Sequence, residues 1–258
     1  MLTLVGSISY SSTDNAVSLG QILIVDPVFR IRSIVYEKIN GFAVVEGDIL
    51  IAKLRNKAEI KAIFRQQLGG ETWPEGIIPF EISKSLPNAN KIAVLEAIAL
   101  WEHRTRVRFI ELSSDNRHLY EDFISFIAAK GTLCSSYVGK QGGRQTINLA
   151  KRCTMMITVH EIGHALGLWH EQSRNDRDNY IHIAWENITE AHKNNFDQHL
   201  TDGRDFGEYD YQSIMHYSAY AFSKNGKKTI IPLIEGVEIG QRREISGKDQ
   251  AAINGLYN

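Results

Sequence analysis

Residues 160–170 of the chain read HEIGHALGLWH, and this stretch decides both the fold and the chemistry. His160 and His164 are four positions apart, so on a helix they project from one face and can reach the same metal ion. A glycine after the helix lets the chain leave sharply, and His170 can then return as a third ligand. Glu161 is the glutamate of an HExxH sequence, which hydrogen-bonds a water molecule on the metal and takes its proton. The spacing therefore predicts a site for one zinc ion.

The length of this pattern separates it from chance. The chain contains nine histidines, and an isolated histidine is more often a surface or hydrogen-bonded core residue than a metal ligand. HExxH alone arises in unrelated helices, but the eleven-residue string HExxHxxGxxH is far more specific. Three neutral imidazoles leave one coordination position of zinc open, which is typical of catalytic sites. Five histidines are interpreted as ordinary residues: His103, His118, His182, His192 and His199.

Further stretches extend the pattern beyond the metal string. The third histidine continues into HEQSRNDRDNY, and residues 213–217 read SIMHY, which is typical of a methionine turn. These two strings closely resemble the astacin family of zinc endopeptidases, within the metzincin clan. Four more strings follow in the family's order: WPEGIIPF at 73–80, CSSYVGKQGGRQTINL from 134, NITEAHKNNF from 187 and IGQRREIS from 239. The resemblance covers residues 73–257.

The resemblance implies an α+β fold in which two lobes flank a zinc-binding cleft. The N-terminal lobe would be a twisted mixed sheet with two long helices, and the C-terminal lobe would be mostly irregular. The implied zinc ligands are His160, His164 and His170, with Glu161 as general base. Met215 would form the apolar floor beneath the histidines, and Tyr217 would leave the metal to hydrogen-bond the oxyanion, where a phenol can stabilise developing charge. The implied activity is hydrolysis of protein or peptide bonds.

Residues 46–49, EGDI, point to regulation. Without the family, a Gly-Asp step is better interpreted as a turn between two strands. Astacins, however, are made with a propeptide whose Gly-Asp aspartate occupies the open zinc position, so the resemblance implies that Asp48 is the inhibitory ligand of a proenzyme. A carboxylate is a competent zinc ligand and displaces the water needed for attack. Residues 1–65 are assigned to this propeptide and residues 66–258 to the catalytic domain.

Glu171 follows the third histidine directly and matches the family glutamate that meets the new N-terminus of the processed enzyme. Counting back from Trp73 puts that terminus between Arg55 and Leu68, in a stretch with several basic residues. The sequence does not identify the protease that makes the cut.

Two cysteines, Cys134 and Cys153, bear on the redox compartment. Taken alone, the pair is equally consistent with two buried thiols and with one disulfide. Under the resemblance they match the partners of one family disulfide. The second family disulfide is missing, because Arg106 stands where a cysteine is expected and the chain ends in Leu-Tyr-Asn without its partner. The C-terminus therefore lacks that anchor.

Composition excludes other classes of function. Lys and Arg (29) nearly balance Asp and Glu (30), so no basic field is present to attract nucleic acid. No stretch reaches the roughly 20 apolar residues of a membrane helix. A standard signal peptide is not visible, since the first basic residue is Arg30, and a trimmed chain, another export route and a cytoplasmic protein all stay open. We expect a secreted monomer that acts on protein or peptide substrates.

Periodicity predicts the main elements. Strands are expected at IIPFEI, RVRFIEL, FISFIA and TINLA, after β-leaning runs at 22–25 and 31–36. Helices are expected at 89–103, 153–167 and 246–256, with shorter helical stretches at 56–68 and 188–196. In the first long helix the apolar positions are Ile92, Leu95, Ile98 and Ala99. The first twenty or so residues are expected to be poorly ordered.

Two other functions stay open. A binding protein that keeps the fold without activity is disfavoured by the intact Glu161. A zinc enzyme acting on a small amide, such as a cell-wall peptide, is excluded by no single residue, although the astacin strings favour extended polypeptides.

Overall fold

The structure is a computed structural model that describes residues 17–25, 31–54, 62–64, 70–198 and 205–258. The first sixteen residues of the lead-in, most of the helical stretch expected at 56–68, and His199 lie outside these ranges. Within 56–68, residues 62–64 form a strand rather than a helix. The helix prediction is wrong there because Ala-Ile-Phe pairs with a distant strand, and tertiary pairing overrides local propensity.

An N-terminal five-stranded sheet precedes the strings that resemble the family. Its strands are β1 (Leu19–Val25), β2 (Ile31–Ile39), β3 (Phe42–Val45), β4 (Ile49–Lys53) and β5 (Ala62–Phe64). The order is β4-β3-β2-β1-β5, with β5 parallel to β1 and the other neighbours antiparallel. Asn40 and Gly41 both have positive φ, as a two-residue hairpin turn requires, and this fixes the β2–β3 hairpin. The two β-leaning runs are confirmed as β1 and β2.

A second, four-stranded sheet lies within residues 77–149. Its strands are β6 (Ile77–Ile82), β7 (Arg108–Glu111), β8 (Phe123–Ala128) and β9 (Arg144–Leu149), in the order β7-β6-β8-β9 with parallel neighbours. Ser135 adds an antiparallel bridge to Asn148 at the β9 edge, so the sheet is mixed. All four strand predictions are confirmed.

Two helices pack against each other beside this sheet. They are α1 (Asn88–Arg104) and α2 (Met155–Ala165). The indole N–H of Trp101 on α1 donates to the Val159 carbonyl oxygen on α2 at 3.0 Å. The buried face of α1 is Ala93, Val94, Ala97, Ile98 and Trp101. The predicted apolar face is largely wrong, because Ile98 is buried but Ile92 and Leu95 are 57% and 49% exposed and Ala99 is exposed too. The main hydrophobic core draws all its members from residues 73–257.

The C-terminal lobe is largely irregular. It contains two short antiparallel strands that are distant in sequence, β10 (Ile181–Ile183) and β11 (Ile230–Pro232). It ends in α3 (Gly247–Leu256). The helical stretch predicted at 188–196 is a 3-10 helix, Glu190–Phe196. Ser246 and Asp249 form a reciprocal capping box that starts α3, which confirms the last predicted helix.

A disulfide and a set of hydrogen bonds correspond to the two crosslinks that the family resemblance implies. Cys134 and Cys153 form a disulfide, as the resemblance implied. The absent second disulfide is replaced by hydrogen bonds around Arg106. Its backbone N–H donates to Asn254 Oδ1 at 3.0 Å, and its Nη1 donates to Asn258 Oδ1 at 3.1 Å. Arg106 therefore contacts residues 254 and 258 through hydrogen bonds.

The two sheets meet edge to edge at Ser136. The Leu50 N–H donates to the Ser136 carbonyl oxygen at 2.7 Å, and the Ser136 N–H donates to the Asp48 carbonyl oxygen at 3.1 Å. Val138 and Trp169 of the catalytic domain also pack into the hydrophobic cluster of the N-terminal sheet. This edge contact positions the turn before β4 directly over the metal string.

Candidate metal centre

The helix α2 presents the first two histidines of the metal string. Thr154 caps its first turn by accepting the Ile157 N–H at 3.4 Å, and the rings of His160 and His164 lie 4.7 Å apart by centroids. The helix ends at Ala165, and Gly167, two residues later, has a φ of +111° that lets the chain reverse. His170 then returns with its ring centroid 4.7 Å from that of His164.

Each histidine is oriented through its Nδ1 atom. His160 Nδ1 contacts the Ile214 carbonyl oxygen and His164 Nδ1 contacts the Leu168 carbonyl oxygen, both at 2.8 Å. His170 Nδ1 contacts Glu46 Oε2 of the N-terminal segment at 2.7 Å. Because these acceptors hold the Nδ1 side, all three Nε2 atoms face one another.

Asp48 lies at this convergence. Its carboxylate oxygens are 3.3 Å from His160 Nε2, 3.7 Å from His164 Nε2 and 3.2 Å from His170 Nε2. The four candidate ligand atoms all lie within 4.8 Å of one another. Gly47, before the aspartate, has a φ of +76°, and a methyl group there would approach the Phe222 ring to 2.8 Å. Glycine is therefore required for the turn to enter the cleft.

The residues fit a zinc ion. Three imidazole nitrogens and one carboxylate oxygen form a donor set that zinc prefers. Among the described residues, Glu161 Oε2 and His164 Nε2 are buried without a hydrogen-bond partner, and both belong to the metal string. A buried polar atom without a partner is costly, and a cation at the centre supplies one for the imidazole nitrogen. His160, His164 and His170 would hold the ion, with Asp48 as the fourth ligand in the full chain.

Burial and neighbouring carboxylates shift the pKa values of the cluster. It lowers the pKa of His160 to about 3 and also lowers that of His164, which favours the neutral imidazole that binds metals. For His170, burial lowers the pKa, but the charges of Asp48 and Glu46 outweigh it and raise the value to about 9. Burial, followed by the charge of Asp48, raises the pKa of Glu161 well above its ordinary value. A raised pKa makes that carboxylate a stronger proton acceptor.

Tyr217 and Met215 lie beside the cluster, and their predicted roles stay predictions. The Tyr217 ring lies 4.6 Å from the His170 ring by centroids, and its hydroxyl donates to the Glu46 carbonyl oxygen. Burial raises the pKa of Tyr217, which keeps it protonated as a donor. A methyl group at Gly163 of α2 would lie 2.8 Å from Met215 Sδ, so the methionine packs directly beneath the histidine helix.

Asp249 supports the site in a way that sequence reasoning missed. Its Oδ1 accepts from Ser213 Oγ at 2.6 Å, and its Oδ2 accepts from the N–H groups of Ile214 at 2.8 Å and Ser246 at 3.0 Å. The same Ile214 supplies the carbonyl oxygen that orients His160. The local signal was the Ser-x-x-Asp capping pattern, but nothing in it indicates the distant loop.

Glu171 follows the third histidine, and its side chain is 14% exposed. Its Oε1 accepts the Asp210 N–H at 2.7 Å and lies 3.6 Å from Arg174 Nη1. Burial raises its pKa to about 8. Its contact with a new N-terminus stays a prediction, because it concerns the processed chain.

One histidine interpreted as ordinary has a specific partner. His192 contacts Glu37 of the N-terminal sheet at 2.8 Å. Among the described residues, the metal cluster contains only the three histidines of the string and Asp48. Two lobes around a buried HExxHxxGxxH centre, with a methionine turn beneath it, define a zinc-dependent peptidase.

Comparisons with known proteins agree with this class. A family model described as Astacin, a family of peptidases, matches residues 65–258. Zinc metalloproteinase nas-4 of Caenorhabditis elegans is 36% identical over 231 residues, which cover 83% of this chain and 68% of that protein. Zinc metalloproteinase nas-14 of the same organism is 38% identical over 190 residues, 72% of this chain and 37% of that protein. The chain therefore spans about two thirds of one relative and under half of the other.

A solved structure is also similar. It is high choriolytic enzyme 1, a hatching enzyme zinc-protease from the medaka fish Oryzias latipes, with 34% identity and a TM-score of 0.65 over 74% of this chain and 95% of that chain. The chain belongs to the astacin family of zinc metalloendopeptidases. No helix among the described residues is long and apolar enough to cross a membrane.

Proposed function

We propose that the full chain is the latent form of a secreted endopeptidase, in which residues 1–65 inhibit a catalytic domain at 66–258 and Asp48 occupies the open metal position. The carrying observation is the Asp48 carboxylate, 3.2 Å from His170 Nε2 and 3.3 Å from His160 Nε2. The similarity to nas-4 covers 83% of this chain, whereas the family model matches residues 65–258. The similarity to nas-4 therefore extends into the segment before residue 65, which supports assigning that segment to the same protein type. The disulfide supports an oxidising, extracellular compartment.

The inhibitory segment blocks the cleft in two ways. Asp48 fills the space between the histidine Nε2 atoms that a water molecule needs. The hydrogen bonds of Leu50 and Asp48 with Ser136 occupy the edge of the catalytic sheet, where an extended peptide would otherwise add as a strand. Loss of Asp48 alone would open the metal position, whereas full activity also requires the segment to leave the sheet edge, so an uncut protein without Asp48 should be less active than the processed enzyme.

In the processed enzyme, Glu161 and Tyr217 have different roles in hydrolysis. Zinc, when bound, polarises the scissile carbonyl and lowers the pKa of water. Glu161 takes a proton from the attacking water as its oxygen bonds to the carbonyl carbon, and passes that proton to the leaving amine when the C–N bond breaks. Once its contact with the Glu46 carbonyl is lost, the Tyr217 hydroxyl is free to donate to the oxyanion. Protein and peptide substrates fit these roles.

The test compares full-length, uncut proteins. Asp48→Ala removes the carboxylate without altering the catalytic domain, so the uncut variant should hydrolyse a mixed peptide library that the uncut parent leaves intact. Zinc content should stay the same. Lys53→Ala, an exposed change on β4, is the matched control and should stay latent. Mass spectrometry verifies that each chain is intact, and equal hydrolysis by Asp48→Ala and the parent would remove Asp48 from the inhibitory role.

A further inference from the structure

Two buried side chains, His216 and Tyr209, lie behind Tyr217. Both ring nitrogens of His216 have partners: Nδ1 is 2.8 Å from the Tyr217 carbonyl oxygen, and Nε2 is 2.7 Å from the Tyr209 hydroxyl oxygen. His216 and Tyr209 are 0% and 3% exposed. Tyr217 belongs to neither a helix nor a strand, so side chains supply the hydrogen bonds that hold its backbone.

These partners determine which ring nitrogen of His216 carries the proton. A carbonyl oxygen only accepts hydrogen bonds, so Nδ1–H donates to the Tyr217 carbonyl oxygen. Burial lowers the pKa of His216 to about 4, and the neutral ring therefore has a lone pair at Nε2. The Tyr209 hydroxyl donates to that lone pair. Because the hydrogen bond at one ring nitrogen sets the state of the other, Tyr209 selects the tautomer that binds the Tyr217 backbone.

Other polar groups next to the Tyr217 side chain are held as well. The Tyr217 N–H donates to Gln172 Oε1, and the His216 carbonyl oxygen accepts from Arg242 Nη1, both at 3.0 Å. Gly240 packs so closely that a methyl group there would lie 2.8 Å from the Tyr217 carbonyl oxygen. With the backbone held in this way, rotation of the side chain is the motion left to the phenol.

We propose that Tyr209 is a positioning residue that acts through His216, holding the Tyr217 backbone where the phenol can reach the oxyanion in the processed enzyme. The inference rests on the proposed role of Tyr217 as oxyanion donor. Such a donor contributes only at hydrogen-bond distance from the developing charge, and a displacement of about 1 Å can cost about a hundredfold in rate. The metal cluster of the described residues does not include His216, and we expect Tyr209 to act on the reaction through Tyr217 alone.

The test is Tyr209→Phe in processed protein, made by cutting the purified full chain within residues 55–69 and removing the segment. The change keeps the ring that stacks on Tyr180, with centroids 4.7 Å apart, and removes the hydroxyl. The tautomer protonated at Nε2 then competes, and its Nδ1 lone pair faces the Tyr217 carbonyl oxygen. We expect kcat to fall about tenfold. KM and zinc content should stay near the parent values, because the lost contact strengthens only as the oxyanion forms.

Tyr211→Phe is the matched control. Tyr211 lies in the same aromatic cluster, with its ring centroid 5.2 Å from that of Tyr209, but its hydroxyl donates to the Tyr180 carbonyl oxygen. Each variant loses one hydrogen-bonded hydroxyl, so each should lower the midpoint of thermal unfolding by a few degrees. A purely structural role predicts the same kcat for both variants. We expect kcat of Tyr211→Phe to stay within about twofold of the parent.

A double-mutant cycle with Tyr217→Phe shows whether Tyr209 acts through Tyr217. Tyr217→Phe alone removes the donor and should lower kcat about a hundredfold. Adding Tyr209→Phe should then lower kcat by less than about a further twofold, since the group it positions is already gone. A further loss of about tenfold in the double variant would overturn the positioning role, as would equal losses of kcat in Tyr209→Phe and Tyr211→Phe.

The same variants judge the two roles separately. If Tyr217→Phe lowers kcat and Tyr209→Phe does not, Tyr217 stands as oxyanion donor and the positioning role falls. If Tyr217→Phe leaves kcat unchanged, the oxyanion role falls, and the positioning role falls with it. Latency is measured independently, with Asp48→Ala in the uncut chain.

Discussion

Glu161 links burial to chemistry at the scale of a single residue. It projects from the same helix as two ligands but has no hydrogen-bond partner at Oε2 among the described residues. We expect Glu161→Ala to keep stoichiometric zinc and to lose at least about a hundredfold in kcat, the usual loss when a general base is removed. Metal analysis and peptide hydrolysis of the processed protein measure the two quantities. Near-normal activity in a zinc-loaded variant would contradict the assignment.

Glu46 acts on a metal ligand rather than on the metal. Its contact with His170 Nδ1 is a carboxylate–histidine pair of the kind that raises the basicity of a ligand. We expect Glu46→Gln, which keeps an acceptor oxygen, to speed zinc loss to a chelator about tenfold in the full chain, and Glu46→Leu to speed it by up to about a hundredfold. A coloured chelator follows the release.

The processed proteins are the control for this prediction. Processing removes residue 46, so the processed forms of both variants and of the parent have the same sequence and must release zinc at one rate. If the full-length variants also release zinc at the parent's rate, Glu46 does not support His170.

The residues that sequence reasoning predicted are those whose partners are near in sequence. His160 and His164 share one helix, and His170 follows after one turn of chain, so spacing alone indicated a common metal. Glu46 and Glu37 contact histidines 124 and 155 positions away, and no local pattern reports such a distance. Family resemblance supplied Asp48, whose Gly-Asp step alone favoured only a turn.

At the scale of elements, α3 is coupled to the metal helix. Asp249 both caps α3 and holds the loop that orients His160. We expect Asp249→Asn to lower the free energy of unfolding by about 1–3 kcal/mol, because one amide oxygen cannot replace two acceptor oxygens and the amide N–H₂ meets donors. Thermal unfolding of the full chain measures this as a drop of several degrees.

Ala251→Ser on the exposed face of α3 is the matched control and should change the free energy of unfolding by no more than about 0.5 kcal/mol. The Asp249→Asn effect should persist with chelator present, since the hydrogen bonds do not involve zinc. A variant as stable as the parent would show that the loop is held by other contacts.

The periodicity of α1 shows where element-level prediction stops. Two large aliphatic side chains, Ile92 and Leu95, are exposed, while Ala93 and Ala97 are buried. Trp101, on the same buried face, donates to the Val159 carbonyl oxygen of α2. Hydrophobicity alone identifies a helix, but the partner surface decides which side is buried.

At the scale of the whole molecule, backbone hydrogen bonds of Ser136 connect the edges of the two sheets. In space, Ser135 pairs with β9 at the edge of the sheet β7-β6-β8-β9, and Ser136 pairs with β4 at the edge of the sheet β4-β3-β2-β1-β5. The apolar runs predicted β1, β2 and the four strands β6 to β9, whereas residues 62–64, expected to be helical, form β5. The junction of the two sheets at Ser136 was not predictable, because two backbone hydrogen bonds at a sheet edge do not depend on a recognisable pattern of residue types.

The order of the five-stranded sheet determines how many molecules take part in activation. β4 and β5 lie at opposite edges, four strand spacings apart, or roughly 19 Å. β4 is fixed over the metal, while the stretch expected to be cut includes β5. A molecule cannot bring β5 to its own cleft without unfolding the sheet that fills it. Processing should therefore be bimolecular: in a dilution series, the fraction cut per hour should fall in proportion to the concentration of the cutting enzyme. A rate independent of concentration would mean that the chain cuts itself.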